Sequence, residues 1–123
     1  MKHKLSKAAD KLVGRWRIIE MDEYARSDVD AVEPGYIRFV SGLHGDFAYG
    51  SVHGWMDCQA IEKDGLPGFE FTWEGVQGDD QVHGRGWAYL VDEHEIAGHI
   101  YIHLGENVAF RARPYDRFAR REH

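Results

Sequence analysis

Apolar and polar residues alternate with a period of two along most of this chain, in runs cut roughly every ten residues by glycine or acidic turn signals. The first run, Arg15-Trp16-Arg17-Ile18-Ile19-Glu20-Met21, follows Gly14 and is rich in residues that favour a pleated, half-buried strand. An acidic connection from Glu23 to Gly35 then ends in Pro34-Gly35 turn chemistry and has room for a helical turn. Beyond it the pattern predicts strands over 36–41, 44–50, 51–62, 67–75, 81–91, 95–104 and 107–113. Turns fall at Lys63-Asp64-Gly65, Gly78-Asp79-Asp80, Asp92-Glu93 and Gly105-Glu106-Asn107. Counting the first run, eight strands are expected. Short connections throughout 41–113 favour an antiparallel up-and-down barrel over a two-sheet sandwich, because closure removes exposed edges. Ahead of the barrel, Leu5, Ala8, Ala9 and Leu12 recur at helical spacing behind Ser6. Residues 1–12 are therefore expected to form a short helical plug or lid.

Alternation also sorts side chains into two faces. In 95–104 it separates Ile96, Gly98, Ile100, Ile102 and Leu104 from Ala97, His99, Tyr101 and His103; in 81–91 it separates Val82, Gly84, Gly86, Ala88 and Leu90 from His83, Arg85, Trp87 and Tyr89. Which set faces inward is not decided by the pattern. Phe47, Tyr49, Phe69, Phe71 and Trp73 at alternating positions favour an aromatic-lined interior, and an eight-stranded barrel can just enclose one small ligand.

The length of 123 residues fits a single barrel domain spanning 1–123, with 114–123 as a basic C-terminal tail. The net charge of −6 is unevenly spread: residues 1–11 and 111–123 are each +3, and residues 12–110 are −12. An acidic wall argues against nucleic-acid binding. No apolar run is long enough to span a bilayer and no secretory leader is apparent, so a cytoplasmic protein without a membrane partner is expected. The one cysteine, Cys58, reads as a small buried hydrophobe.

Leu12-Val13-Gly14-Arg15-Trp16 resembles the Gly-x-Trp signature on the first strand of the lipocalin, fatty-acid-binding and avidin group of barrels. That resemblance implies a lipocalin-like architecture closed at one end by Gly14 and Trp16, with Arg111 or Arg113 of the last strand stacked on the tryptophan. The runs Pro34-Gly35-Tyr36-Ile37-Arg38-Phe39, Glu70-Phe71-Thr72-Trp73-Glu74-Gly75, Gly84-Arg85-Gly86-Trp87-Ala88 and Ile102-His103-Leu104-Gly105 are similar to a family of small uncharacterised bacterial proteins. That family implies no activity. Nitrobindin-like barrels share the early Gly-x-Trp, and likeness to them would make His103 a haem ligand.

The leading functional expectation is a small-molecule-binding barrel, its ligand apolar or aromatic with a polar or anionic group. Tyr49, Trp73, Arg85, Trp87, Tyr101 and His103 would line the site, with stacking on Trp73 and Trp87 and an anion clamp at Arg85. The alternative is an interaction or homodimerisation module using His99, Tyr101, His103 and Trp87 as an exterior patch. A third reading makes His103 an acid or base oriented by Glu74 or Asp57. No metal site or cofactor is expected. His99 and His103, four apart on a strand, stand about 13 Å from one another at roughly 3.3 Å per residue, and His53 and His83 have no ligand spacing with them.

Overall fold

A computed structural model of the chain describes residues 9–41 and 43–115. Its strands are β1 (Gly14–Met21), β2 (Tyr36–Val40), β3 (His44–Tyr49), β4 (Val52–Lys63), β5 (Leu66–Gln77), β6 (Asp80–Asp92), β7 (Glu95–Ile102) and β8 (Asn107–Pro114). They follow one another around a closed antiparallel barrel, β8 pairing back onto β1. The all-β up-and-down architecture read from alternation is the one that forms. Of the expected helical segment 1–12, Ala9–Leu12 makes a 3-10 turn and residues 1–8 lie outside the described residues, as do residues 116–123 of the basic tail. The β4–β5 hairpin turns on Asp64 and Gly65, both at positive φ (52° and 83°), the backbone a tight two-residue hairpin demands.

Glycine and aromatic residues share the interior. Phe47, Tyr49, Phe69, Phe71 and Trp73 point inward, and so do Gly54 of β4, Gly84 and Gly86 of β6 and Gly98 of β7. The rings lie over the glycines. A methyl group at Gly54 would stand 2.6 Å from Phe47 and 2.7 Å from Trp73; one at Gly86, 2.6 Å from Phe71; one at Gly98, 2.8 Å from Phe110. Ring contacts run on from Phe39–Phe69 (4.8 Å between centroids) to Phe47–Trp73 (5.0 Å, edge to face). The barrel axis is thus packed with side chains.

Each end has its own closure. At one, Trp16 donates its indole N–H to the Leu12 carbonyl (2.9 Å), seating the buried Leu12 and Ala9 beneath it. Arg111 has no part in this. It lies on the outer face, bonded to Glu20 (2.6 Å) and Glu95 (2.8 Å), and Arg113 reaches Glu95 as well. The register explains the departure from the expected stack: Trp16 sits opposite Pro114, while Phe110 and Ala112 take the inward positions and turn Arg111 outward. At the other end a short helix, α1 (Arg26–Val29), drops Val29 into the core, and Tyr24 and Tyr49 both donate to Glu106 of the β7–β8 turn (2.6 and 3.3 Å).

Asp30 ties α1 to the barrel. Its carboxylate takes two bonds from Arg17 (2.9 and 2.7 Å) and one from the Gly35 N–H (2.8 Å). Chiefly through Arg17, its pKa falls from 3.8 to about 2. Because the folded value is depressed, the stabilisation is complete above the unfolded pKa and is lost as pH falls through the folded one. With a partly solvent-screened pair, Asp30→Asn should cost about 1–2 kcal/mol at neutral pH. In urea titrations the gap between wild type and variant should close between pH 4 and pH 2, a window set by those two values; a gap that stays constant would show that Asp30 acts through packing alone.

Candidate functional site

The six residues expected to line one ligand site fall on two sides of the barrel wall. Tyr49 and Trp73 are buried inside, at 1% and 4% exposure. Arg85, Trp87, Tyr101 and His103 are outside, because Gly84, Gly86, Ala88, Ile100 and Ile102 take the inward positions of β6 and β7. Cross-strand register then decides which outer residues meet. Arg85 lies directly opposite Tyr101 and, on its other side, Thr72. Trp87 lies opposite His99.

Two clusters result. In the first, Arg85, Tyr101 and His103 share an open groove of about 360 Å³ with Thr72, His83 and the backbone at Gly84. The Arg85 guanidinium lies 4.3 Å above the Tyr101 ring. His83 and His103 stack at 4.7 Å, held in place by a 2.7 Å bond from the His103 N–H to the His83 carbonyl. Leu104, at the groove's rim, is 96% exposed and held at φ 60°. A leucine in the left-handed region is uncommon and costs energy that packing does not return here. Among the described residues no ion pair or hydrogen bond joins Arg85 to a carboxylate, although Glu74 stands directly across from His83. The fork of Arg85 is therefore held by its stack on Tyr101 and by no carboxylate among the described residues.

The second cluster continues along the same face. His99 stacks on Tyr101 (4.6 Å) and on Trp87 (5.9 Å), Trp87 packs against Tyr89 (5.3 Å), and the Lys63 ammonium reaches both rings at 5.9 Å. His99 is fixed by a 2.9 Å bond to the Asn107 side chain.

The acid–base arrangement does not assemble: among the described residues nothing bonds His103 to Glu74 or Asp57. His103 is also outside the wall, where it cannot ligate a haem held in the barrel. Among the described residues no three His, Cys, Asp or Glu side chains converge as a metal would require. Burial pushes the Cys58 thiol up to about 12, which leaves it a packing residue. No helix of the described residues is long and apolar enough to cross a membrane.

Thr72 was not singled out by the sequence, and His83 was weighed only as a metal ligand, since only the register of β5 against β6, and of β6 against β7, brings them to Arg85. A nearly buried Asp46 was missed too. On the outer face of β3 it accepts from the Tyr36 hydroxyl (2.5 Å) and from Arg38 (2.9 Å), with His53 at 3.6 Å. This side-chain network ties β2, β3 and β4 together.

The fold and these clusters define a closed, packed antiparallel barrel that presents aromatic, histidine and arginine clusters on its outer wall. No protein-family model, no curated protein and no solved structure matches the chain, so the resemblances above rest on their motifs alone.

Proposed function

We propose that this chain is a lipocalin-like cytoplasmic barrel that binds a small molecule or side chain bearing a carboxylate or phosphate, in the outer groove at Arg85. The observation that carries this reading is the Arg85 guanidinium, stacked on Tyr101 and without a carboxylate partner among the described residues, beside two histidines and the Thr72 hydroxyl. Stacking fixes the plane of the fork and leaves its N–H edge for the bidentate contacts that carboxylate and phosphate accept. The groove falls at the small end of the volumes that hold ligands, roughly 300–1,000 Å³. The leucine held at φ 60° on its rim is a second support, since such strain gathers at binding sites.

Titration with inorganic phosphate and with benzoate, followed by NMR of the histidine rings, tests the proposal. The His83 and His103 resonances should move on saturation while His44 and His94 stay put. Arg85→Ala should weaken binding about tenfold or more, the loss of a charge-assisted pair, with an unchanged circular dichroism spectrum because Arg85 is exposed. Shifts spread evenly over all histidines, or equal affinity in the variant, would overturn it.

A further inference from the structure

The groove at Arg85 narrows its own choice of ligand through the two histidines beside the guanidinium. His83 and His103 lie ring on ring, with centroids 4.7 Å apart and planes 22° from parallel. Main chain holds them there: the His103 N–H donates to the His83 carbonyl at 2.7 Å, a bond that depends on neither side chain. Both rings and the Arg85 side chain line the same groove, and all three are exposed. His83 and Arg85 project from one face of β6, two residues and about 7 Å apart. Three groups able to carry positive charge thus meet in one corner.

The neighbouring carboxylates stand outside that corner. Glu74 faces His83 from β5 and Asp57 of β4 faces Thr72, yet both line the adjoining hollow around Trp55 and not the groove. Glu106, on the turn after His103, is taken by Tyr24 and Tyr49. Among the described residues neither His83 nor His103 has an ion pair or a side-chain hydrogen bond. Charging both rings of the free protein would therefore set like charges in contact with each other and close to Arg85. A ligand with two negative charges reverses that balance, because it gives each ring an acceptor oxygen and lets the pair take protons from the solvent as it arrives. A carboxylate has one charge and two oxygens, both of which the Arg85 fork can occupy by itself. A phosphomonoester is mostly dianionic above its second pKa of about 6 and offers three oxygens, enough for the fork and the histidines together.

Resting on the oxyanion reading, we infer that the ligand of the groove is a phosphomonoester dianion, and that its binding is coupled to proton uptake by the His83–His103 pair.

Isothermal titration calorimetry of the full chain with phenyl phosphate and with benzoate, at pH 7.5 in two buffers of unlike ionisation heat, tests this. At that pH the ester is already dianionic and an ordinary histidine is largely neutral, so protons taken up on binding go to the protein. Phenyl phosphate should bind about tenfold tighter than benzoate and take up roughly half a proton or more, against little for benzoate. His83→Gln and His103→Gln should each remove most of the proton uptake and cut the preference to about threefold or less. Benzoate affinity and the circular dichroism spectrum should stay as in wild type, since the rings are exposed and the bond between the two positions is main chain. A capped tripeptide bearing phosphoserine separates the two sources of the ester: affinity equal to that of phenyl phosphate assigns a small molecule and much tighter binding a protein segment, and either upholds the phosphomonoester. Equal affinity for phenyl phosphate and benzoate, or a preference without proton uptake, would overturn the inference and leave the oxyanion reading standing. Binding of neither would bring down both.

Discussion

Replacing Trp73 with alanine should destabilise the barrel by about 3–5 kcal/mol, the range for deleting a large buried aromatic side chain. The indole is 4% exposed, meets Phe47 edge to face at 5.0 Å and donates its N–H to the Tyr101 carbonyl at 3.2 Å. Beneath it are Gly54 and Gly84, which have no side chain with which to fill the space an alanine would leave. Relaxation is therefore limited, and the upper part of the range is expected. Trp73→Phe keeps most of the volume and loses the hydrogen bond, so it should cost about 1–2 kcal/mol. Urea unfolding followed by circular dichroism measures both. Equal losses for alanine and phenylalanine would mean that the hydrogen bond, and not the filled volume, is what Trp73 contributes.

Gly84→Val should cost about 3 kcal/mol or more, by the opposite mechanism of overpacking. A side chain at this position would run into the Tyr101 carbonyl oxygen, part of the neighbouring strand's backbone, and would also press on the Trp73 nitrogen at 3.1 Å. Backbone cannot swing aside as a side chain can. The β6–β7 seam would have to part where Arg85 and Tyr101 pair, so the stacked guanidinium should be disturbed along with stability. Gly86 offers the contrast, because there the obstacle includes the Phe71 ring. The loss in Gly86→Ala should be partly recovered by adding Phe71→Leu, a coupling that a double-mutant cycle reads directly. A Gly84→Val protein as stable as wild type would show that these strands have slack the tight approach denies.

The strands themselves were legible because their signals are local. Asp64-Gly65 marks its own hairpin, and the predicted 81–91 and 95–104 lie within two residues of the observed Asp80–Asp92 and Glu95–Ile102. What alternation leaves undecided is the hand of each strand toward the core. Aromatic residues on β5 and glycines on β6 look like rival interiors when each strand is taken alone, yet here they are the two halves of one packing, since the rings of β3, β5 and β8 occupy the room the glycines of β4, β6 and β7 vacate. The choice is made by pairs from different strands, and a single strand's sequence contains no such pair. The same gap split the expected ligand set, sending Tyr49 and Trp73 inward and Arg85, Trp87, Tyr101 and His103 outward. Arg111 shows a different limit. A barrel-closing role came from resemblance, while Phe110 and Ala112 on either side already assign it the solvent face.

A ring of strands has no last member that can peel away alone. Lifting any strand breaks two seams, so local opening is costly everywhere and is least costly where the seams are shortest. That place is β2, which pairs with β1 only over Gly14–Arg17 and with β3 only over His44–Ala48. There the outer-face bonds of Asp46 to Tyr36 and Arg38 stitch β2 to β3 a second time, through side chains. The Asp46 network is thus the latch on the barrel's natural door, and Asp46→Asn should speed amide exchange in β2 before it does so in the longer strands.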